Sequence, residues 1–149
     1  MQPVHKESVF NREVTLLLVD DDDIDAKGVD RALKRLNIQN PIVRANDGLH
    51  GLTLLRELHA AGRPYIILLD LNMPRMGGLE MLAELRKDSA LTSSVVFVLT
   101  TSKAQVDINA AYELHIAGYV VKENVGEGYI KLIEMLGKYH EMVELPSCH

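Results

Sequence analysis

Carboxylate side chains follow two apolar runs of the chain, at the point where each run ends. Asp70 comes directly after the run 65–69, and the aspartates from Asp20 to Asp23 follow the run 16–19. If both runs are parallel strands, their carboxyl ends meet at one edge of the sheet, which is where open α/β folds place their sites. We therefore expect a small acidic pocket built from two distant segments of the chain.

The charge of this pocket determines its chemistry. Two carboxylates about 4 Å apart repel by roughly 4 kcal/mol at an effective dielectric constant of 20, so the pocket must hold protons or a cation. A few carboxylate oxygens suit magnesium, which keeps several waters and completes its coordination with phosphate oxygens. The residues therefore predict a magnesium site that also receives phosphate.

A hydroxyl group and an ammonium group are expected at the same edge of the sheet. The apolar run 95–99 ends in Thr100, and the run 119–121 ends in Lys122. If a phosphoryl group were bound to Asp70, Lys122 would neutralise charge on its oxygens and Thr100 would donate a hydrogen bond. Together with the acidic pocket, these side chains predict a phosphoryl-transfer site.

The elements that must position these side chains alternate along the chain. Amphipathic segments of helix length separate short apolar runs rich in branched residues, which lie near 14–20, 41–45, 65–70, 94–100 and 117–121. Strands joined by helical crossovers form a parallel sheet with helices on both faces. The pattern predicts a doubly wound α/β fold of five strands and five helices.

Polar residues and glycines indicate where several helices begin. Asp22 or Asp23 can cap the first helix, and Ser102 can cap the fourth. The last helix is expected to begin near Gly126. Gly28 lies inside the first helix, where glycine costs about 1 kcal/mol relative to alanine, and tight packing is the reason we expect for it.

Length and composition limit the class of protein. With 149 residues, 47% of them apolar, the chain suits one domain, with a core from about 14 to 140, a polar head and a short tail. The net charge of −5 and the absence of a basic patch argue against nucleic acid as the main ligand. No segment suits a signal peptide or a membrane span, so we expect a cytoplasmic protein without a membrane partner.

Four separated motifs, each at the end of a predicted strand, resemble those of the receiver domains of bacterial two-component response regulators. They are Val19-Asp20-Asp21, Asp70-x-x-Met73-Pro74-x-x-Gly77-Gly78, Leu99-Thr100 and Gly118-Tyr119-x-x-Lys122. The resemblance covers about residues 14 to 140 and implies a flavodoxin-like sheet in the order 2-1-3-4-5. Within that family, the segments 111–115 and 143–146 resemble single-domain regulators that are paired with phytochrome histidine kinases.

The resemblance implies how the phosphoryl group is received. Asp70 would be the phosphoacceptor, taking the group from a histidine kinase, and Thr100 and Lys122 would bind the phosphoryl oxygens. Tyr119 matches the aromatic residue whose movement accompanies that of Thr100, so these two residues would form the switch. The acyl phosphate would be lost slowly to water, which makes the chain a switch rather than an enzyme with an independent substrate.

The resemblance also implies a set of magnesium ligands. Asp21 would bind the ion directly and Asp20 largely through water, while Asp70 and the backbone carbonyl of Asn72 would complete the protein's share. One departure from the family concerns the residue after the active-site lysine, which is usually a proline, often in a cis peptide, and here is Glu123. A cis bond before a non-proline residue costs about 2.5 to 4 kcal/mol. The bond between Lys122 and Glu123 could therefore be trans, or the loop around it could be rearranged.

Output is expected through protein contacts, because no effector domain follows the predicted domain. The face built by the fourth helix, the fifth strand and the fifth helix would change on phosphorylation. Apolar residues of the last helix and tail suggest that the chain forms a homodimer; they are Tyr139, Met142, Val143 and Leu145. A relay carrier that passes its phosphoryl group to a histidine phosphotransfer domain is the alternative.

A second alternative is a phosphatase of the haloacid dehalogenase type. Asp20-x-Asp22 after a strand, followed by Thr100 and Lys122, resembles three motifs of that family. Against it, no further acidic pair follows Lys122 at a strand end, and the turn after Asp70 would have no role.

Overall fold

The alternation of strands and helices is present throughout the computed structural model, which describes residues 14–146. The strands are β1 (Thr15–Val19), β2 (Ile42–Ala45), β3 (Tyr65–Leu69), β4 (Val96–Thr100) and β5 (Gly118–Val121). The helices are α1 (Asp23–Arg35), α2 (Gly48–Ala60), α3 (Gly78–Lys87), α4 (Gln105–Glu113) and α5 (Ile130–Met142). Two short 3-10 turns, Lys122–Asn124 and Glu127–Tyr129, lie between β5 and α5.

The strands form one parallel sheet in the order β2-β1-β3-β4-β5, which confirms the predicted fold. Every residue of β1, β3 and β4 is buried, as expected for strands covered by helices on both faces. Successive side chains of β1 enter opposite cores: Leu17 and Val19 pack with α2 and α3, whereas Leu16 and Leu18 pack with α1 and α5. This burial on both faces explains why β1, β3 and β4 are continuous apolar runs in the sequence.

Helix α4 is the least embedded of the five helices. Ala111 is its single buried residue, whereas each of the other helices buries at least four. Two large apolar side chains of α4, Val106 and Tyr112, are exposed. Packing therefore stabilises the position of α4 less than that of the other helices, since burial of apolar surface is the main source of that stabilisation.

The predicted helix starts are partly confirmed. Asp22 caps α1, since its carboxylate accepts a hydrogen bond from the backbone N–H of Ile24 at 2.8 Å. The prediction for Ser102 is wrong, because the residue that precedes the first turn of α4 is Ala104. The Ser102 hydroxyl instead accepts from the Ala104 N–H and donates to Asp107, which orders the loop before the helix.

The predicted start of the last helix is also wrong, because α5 begins at Ile130 rather than near Gly126. Three residues before it have positive φ angles: Gly126 at 70°, Gly128 at 72° and Tyr129 at 60°. A right-handed α-helix does not include residues in this conformation, so 126–129 forms a turn and α5 begins after it. All peptide bonds of the described residues are trans, including the bond between Lys122 and Glu123.

The C-terminal apolar residues differ in their exposure. Tyr139 packs edge-on against Phe97, with ring centroids 5.0 Å apart, and Leu145 lies against the core between the sheet and α1 and α5. Met142 is 83% exposed. Part of the apolar surface that suggested a dimer is therefore covered by the chain itself.

In the described part of the chain, no helix has the length and apolar character that a membrane span requires.

Candidate functional site

The carboxyl ends of β1 and β3 bring two aspartates together. The strands pair in register, Val19 with Leu69, and each is followed directly by an aspartate. The backbone N–H of Asp70 donates to the carbonyl of Val19 at 2.9 Å, which extends the strand pairing to the first residue of the site. Asp20 is fully buried and Asp70 is 5% exposed. The prediction of an acidic pocket at this edge is confirmed.

Asp21 completes a group of three carboxylates. It is exposed, next to the buried Asp20, and one carboxylate oxygen from each of Asp20, Asp21 and Asp70 lies within 4.8 Å of the other two. Oxygen ligands at this spacing suit a hard divalent cation, which would lie between the buried and the exposed acids.

The electrostatics of Asp20 favour a positive charge in this pocket. Burial raises the pKa of Asp20 from 3.8 to about 6, and the nearby charge of Asp70 adds to the rise. The hydrogen bond from the Asp22 N–H at 2.9 Å and the ammonium of Lys122 oppose that rise without cancelling it. A cation bound beside Asp20 would therefore stabilise its ionised form.

Lys122 lies at the same edge, directly after β5. Its Nζ atom is 3.2 Å from Oδ2 of Asp20 and 3.6 Å from Oδ2 of Asp70, and it donates a hydrogen bond to Asp25. Burial alone would lower the pKa of Lys122, but the hydrogen bond to Asp25 and the charges of Asp20 and Asp70 raise it above its usual value. Lys122 is therefore a fixed positive charge beside Asp70.

Asp25 and Tyr129 belong to this network, and neither was predicted from the sequence. Asp25 lies in the first turn of α1, where it accepts hydrogen bonds from Lys122 and from the hydroxyl of Tyr129. Burial would raise the pKa of Asp25, but these two hydrogen bonds bring it below its usual value. A signal was present, because Asp25 precedes the buried Val29 by four residues and so lies on the buried face of the helix.

Thr100 is fully buried at the end of β4, on the other side of β3 from Asp20. Because Leu69 pairs with Val98, Thr100 lies one residue beyond the level of Asp70. The loop that follows is held by Tyr119, whose hydroxyl donates to the carbonyl of Ser102 at 2.9 Å. The loop after β4 begins directly after Thr100, so Ser102 connects Thr100 to Tyr119.

The turn after Asp70 is anchored at two points. The N–H of Asn72 donates to Oδ1 of Asp70 at 3.3 Å. Further along, Arg75 forms an ion pair with the buried carboxylate of Asp47, which caps α2. Gly78 is required because a Cβ atom there would clash with the backbone carbonyl of Asp70. These contacts attach the turn to Asp70 and to the start of α2, and the contribution of Arg75 was not predicted from sequence.

Comparisons with known proteins agree with this geometry. The family model described as the response regulator receiver domain matches residues 16–134. Response regulator Rcp1 of Synechocystis sp. is 35% identical over 92% of this chain and 96% of its own length.

Solved structures give the same result. The Mn²⁺-bound form of Rcp1 has a TM-score of 0.77 at 35% identity, covering 89% of this chain and 99% of that one. The phosphorylated cyanobacterial phytochrome response regulator RcpA has a TM-score of 0.78 at 32% identity, covering 90% of this chain and 99% of that one.

Proposed function

The chain belongs to the response regulator receiver domain family, and we propose that it accepts a phosphoryl group on Asp70 from a histidine kinase. The observation that carries this proposal is the convergence of Asp20, Asp21, Asp70 and Lys122 at one edge of the sheet. Asp70 is the acid at the end of β3 that lies beside both the acidic pair and the ammonium group. The relative RcpA was solved in a phosphorylated form, which supports the same chemistry here.

The reaction is a displacement at phosphorus. A carboxylate oxygen of Asp70 attacks the phosphorus of a phosphohistidine, an O–P bond forms, and the N–P bond breaks with its electron pair returning to the imidazole. Lys122 neutralises charge on the transferred oxygens, and the hydroxyl of Thr100 donates a hydrogen bond to one of them. The protein's contribution is positioning and charge neutralisation, as in other phosphoryl transfers.

The residues present fit a divalent cation, and we propose magnesium. Asp21 and Asp70 would hold it directly, Asp20 largely through water, and Asn72 through its backbone carbonyl. When bound, the ion would supply positive charge for the phosphoryl oxygens. The raised pKa of Asp20 and the Mn²⁺-bound structure of Rcp1 both support a cation at this position.

Phosphorylation would act on the loop after β4. It replaces the single negative charge of the Asp70 carboxylate with a phosphoryl group that carries nearly two, and this group attracts Thr100 and Lys122. Tyr119 is bonded to Ser102 in that loop, so a displacement of Thr100 changes the position that Tyr119 can hold. Helix α4, with one buried residue, has little packing to resist the shift. The face formed by α4, β5 and α5 is therefore the expected output surface.

The partners follow from the family and its phytochrome-linked members. We propose a phytochrome-type histidine kinase as the phosphodonor, and a homodimer that uses the α4-β5-α5 face and the exposed Met142. The chain would turn over no independent substrate, because its product is its own acyl phosphate. The match to the receiver family argues against the haloacid dehalogenase alternative.

Incubation with a small phosphodonor and Mg²⁺, followed by mass measurement of the intact chain, tests the proposal. The unaltered chain should gain one phosphoryl group, and Asp70→Asn should gain none. Equal phosphorylation of both proteins would remove Asp70 as the acceptor.

A relay carrier would use the same acceptor chemistry. Transfer of label from the phosphorylated chain to a histidine phosphotransfer domain identifies a relay. Retention of the label on the chain, with hydrolysis as its only loss, identifies a terminal switch.

A further inference from the structure

Lys122 contacts a residue outside the group that receives phosphate. Three carboxylates surround its ammonium group, from Asp20, Asp25 and Asp70, and Asp25 is the closest of them. The side chain of Asp25 is 10% exposed, so this ion pair is shielded from water. A shielded, hydrogen-bonded charge pair restricts side-chain motion far more than a surface pair does.

Asp25 is itself held by a second contact. One of its carboxylate oxygens accepts from Lys122, and the other accepts from the hydroxyl of Tyr129. Tyr129 has a left-handed backbone conformation, φ 60°, and its ring lies against Gly28, one turn along α1 from Asp25. These contacts join the segment between β5 and α5 to the first turns of α1.

Two other contacts described for that segment lie away from the ammonium group. Glu123 pairs with Lys103 at 2.8 Å on the surface, where both side chains are more than half exposed. Val125 is buried in the core beneath α1 and α5. The tip of the Lys122 side chain thus lies between Asp20 and Asp70, which belong to the acidic pocket, and Asp25, which does not.

We propose that Asp25, oriented by Tyr129, is a positioning residue that holds the Lys122 ammonium where the phosphoryl oxygens arrive on Asp70. This inference rests on the proposed function. Without Asp25, the four-carbon side chain of Lys122 regains its rotamer freedom or moves onto Asp20, where it competes with the cation. Either change leaves the transferred oxygens less well neutralised, since misplacing a charged group by about 1 Å can cost up to 100-fold in rate.

The test is the rate of phosphorylation by phosphoramidate with Mg²⁺, followed by intact mass. Asp25→Asn should react about tenfold more slowly than the unaltered chain, because the charge-assisted hydrogen bond to Lys122 is lost. The matched control is Asp30→Asn, on the same helix, which removes an acid paired with Lys34 at 3.0 Å on the surface. The control should react at the rate of the unaltered chain.

Repeating the substitution in a Lys122→Gln background separates positioning from a general structural effect. If Asp25 acts through Lys122, Asp25→Asn causes no further slowing once the ammonium is gone. The same tenfold slowing in both backgrounds would overturn the inference. A rate for Asp25→Asn equal to or above that of the unaltered chain would overturn it as well.

Tyr129→Phe provides an independent variant that keeps the ring against Gly28 and removes the hydroxyl. It should slow phosphorylation about threefold, and only when Lys122 is present; no slowing would contradict the role of Tyr129. This variant carries the test if Asp25→Asn does not fold. Asp70→Asn in the same assay separates the two claims. Normal phosphorylation of Asp70→Asn would refute the proposed acceptor. If Asp70→Asn is not phosphorylated but the Asp25 and Tyr129 variants react at the normal rate, only the positioning role is refuted.

Discussion

The ring of Tyr129 lies against the backbone of Gly28, so that a hydrogen atom is the largest side chain that fits at that position of α1. A Cβ atom on Gly28 would lie 2.5 Å from Cε2 and 2.6 Å from Cδ2 of the ring. This contact explains why a residue that weakens helices lies in the middle of one, and it confirms the expectation of tight packing.

Gly28→Ala should therefore destabilise the fold, although alanine is the better helix former by about 1 kcal/mol. The added methyl group must displace the ring and, with it, the hydrogen bond to Asp25. We expect a lower midpoint of thermal unfolding. The control is the same change in a Tyr129→Ala background, where the ring is gone and Gly28→Ala should raise the midpoint. A higher midpoint in both backgrounds would show that the Tyr129 ring does not oppose a methyl group at position 28.

Arg86 connects three parts of the chain through backbone carbonyls. Its guanidinium donates to the carbonyls of Thr92 and Ser94 before β4, and to those of Leu114 and His115 after α4. Arg86→Lys retains the charge but cannot reach four acceptors, so the free energy of unfolding should fall by about 2 kcal/mol in urea titrations. Arg56→Lys, a change at a largely exposed ion pair, is the control and should alter it little.

The pH dependence of stability should report the burial of Asp20. Its pKa is about 6 in the folded chain and 3.8 ordinarily, so the folded state holds an extra proton between these values. As pH rises through this window, the free energy of unfolding falls by up to about 3 kcal/mol from this group. Asp20→Asn cannot ionise, so without Mg²⁺ its stability relative to the unaltered chain should increase from pH 4 to about pH 7. A difference that does not vary with pH would contradict this.

Magnesium affinity should depend on Asp21. Calorimetric titration of Asp21→Asn with Mg²⁺ should show at least about tenfold weaker binding, because a direct carboxylate ligand contributes more than 1.4 kcal/mol. Asp23→Asn is the matched control, since Asp23 is exposed and pairs with Arg44 at 2.6 Å. Equal affinities of the two variants would mean that general negative charge, rather than Asp21 itself, binds the ion.

The sequence predicted the sheet and the acidic group because both depend on local patterns. Strands such as β1 and β3 are apolar on both faces, and the first polar residue after each marks its carboxyl end. Once the parallel order is known, Asp20 and Asp70 must be neighbours. The site could thus be assembled from strand ends alone.

Contacts between distant side chains were harder to predict. Asp25 looked like one more acid in an acidic run, and its role depends on Tyr129, which lies after β5. The start of α5 was misplaced because Gly126 and Tyr129 have positive φ angles, and the residue type of Tyr129 gives no sign of that conformation. Arg86 resembles an ordinary helix-end arginine, and its four carbonyl partners become visible only in three dimensions.

Mapping the modified residue shows whether Asp70 receives the phosphoryl group. After phosphorylation with Mg²⁺, borohydride reduction converts an aspartyl phosphate to homoserine, which peptide mass spectrometry can locate. We predict homoserine at position 70 and unmodified aspartate at positions 20, 21 and 25. Homoserine at any of these three positions, with position 70 unchanged, would contradict the proposed site.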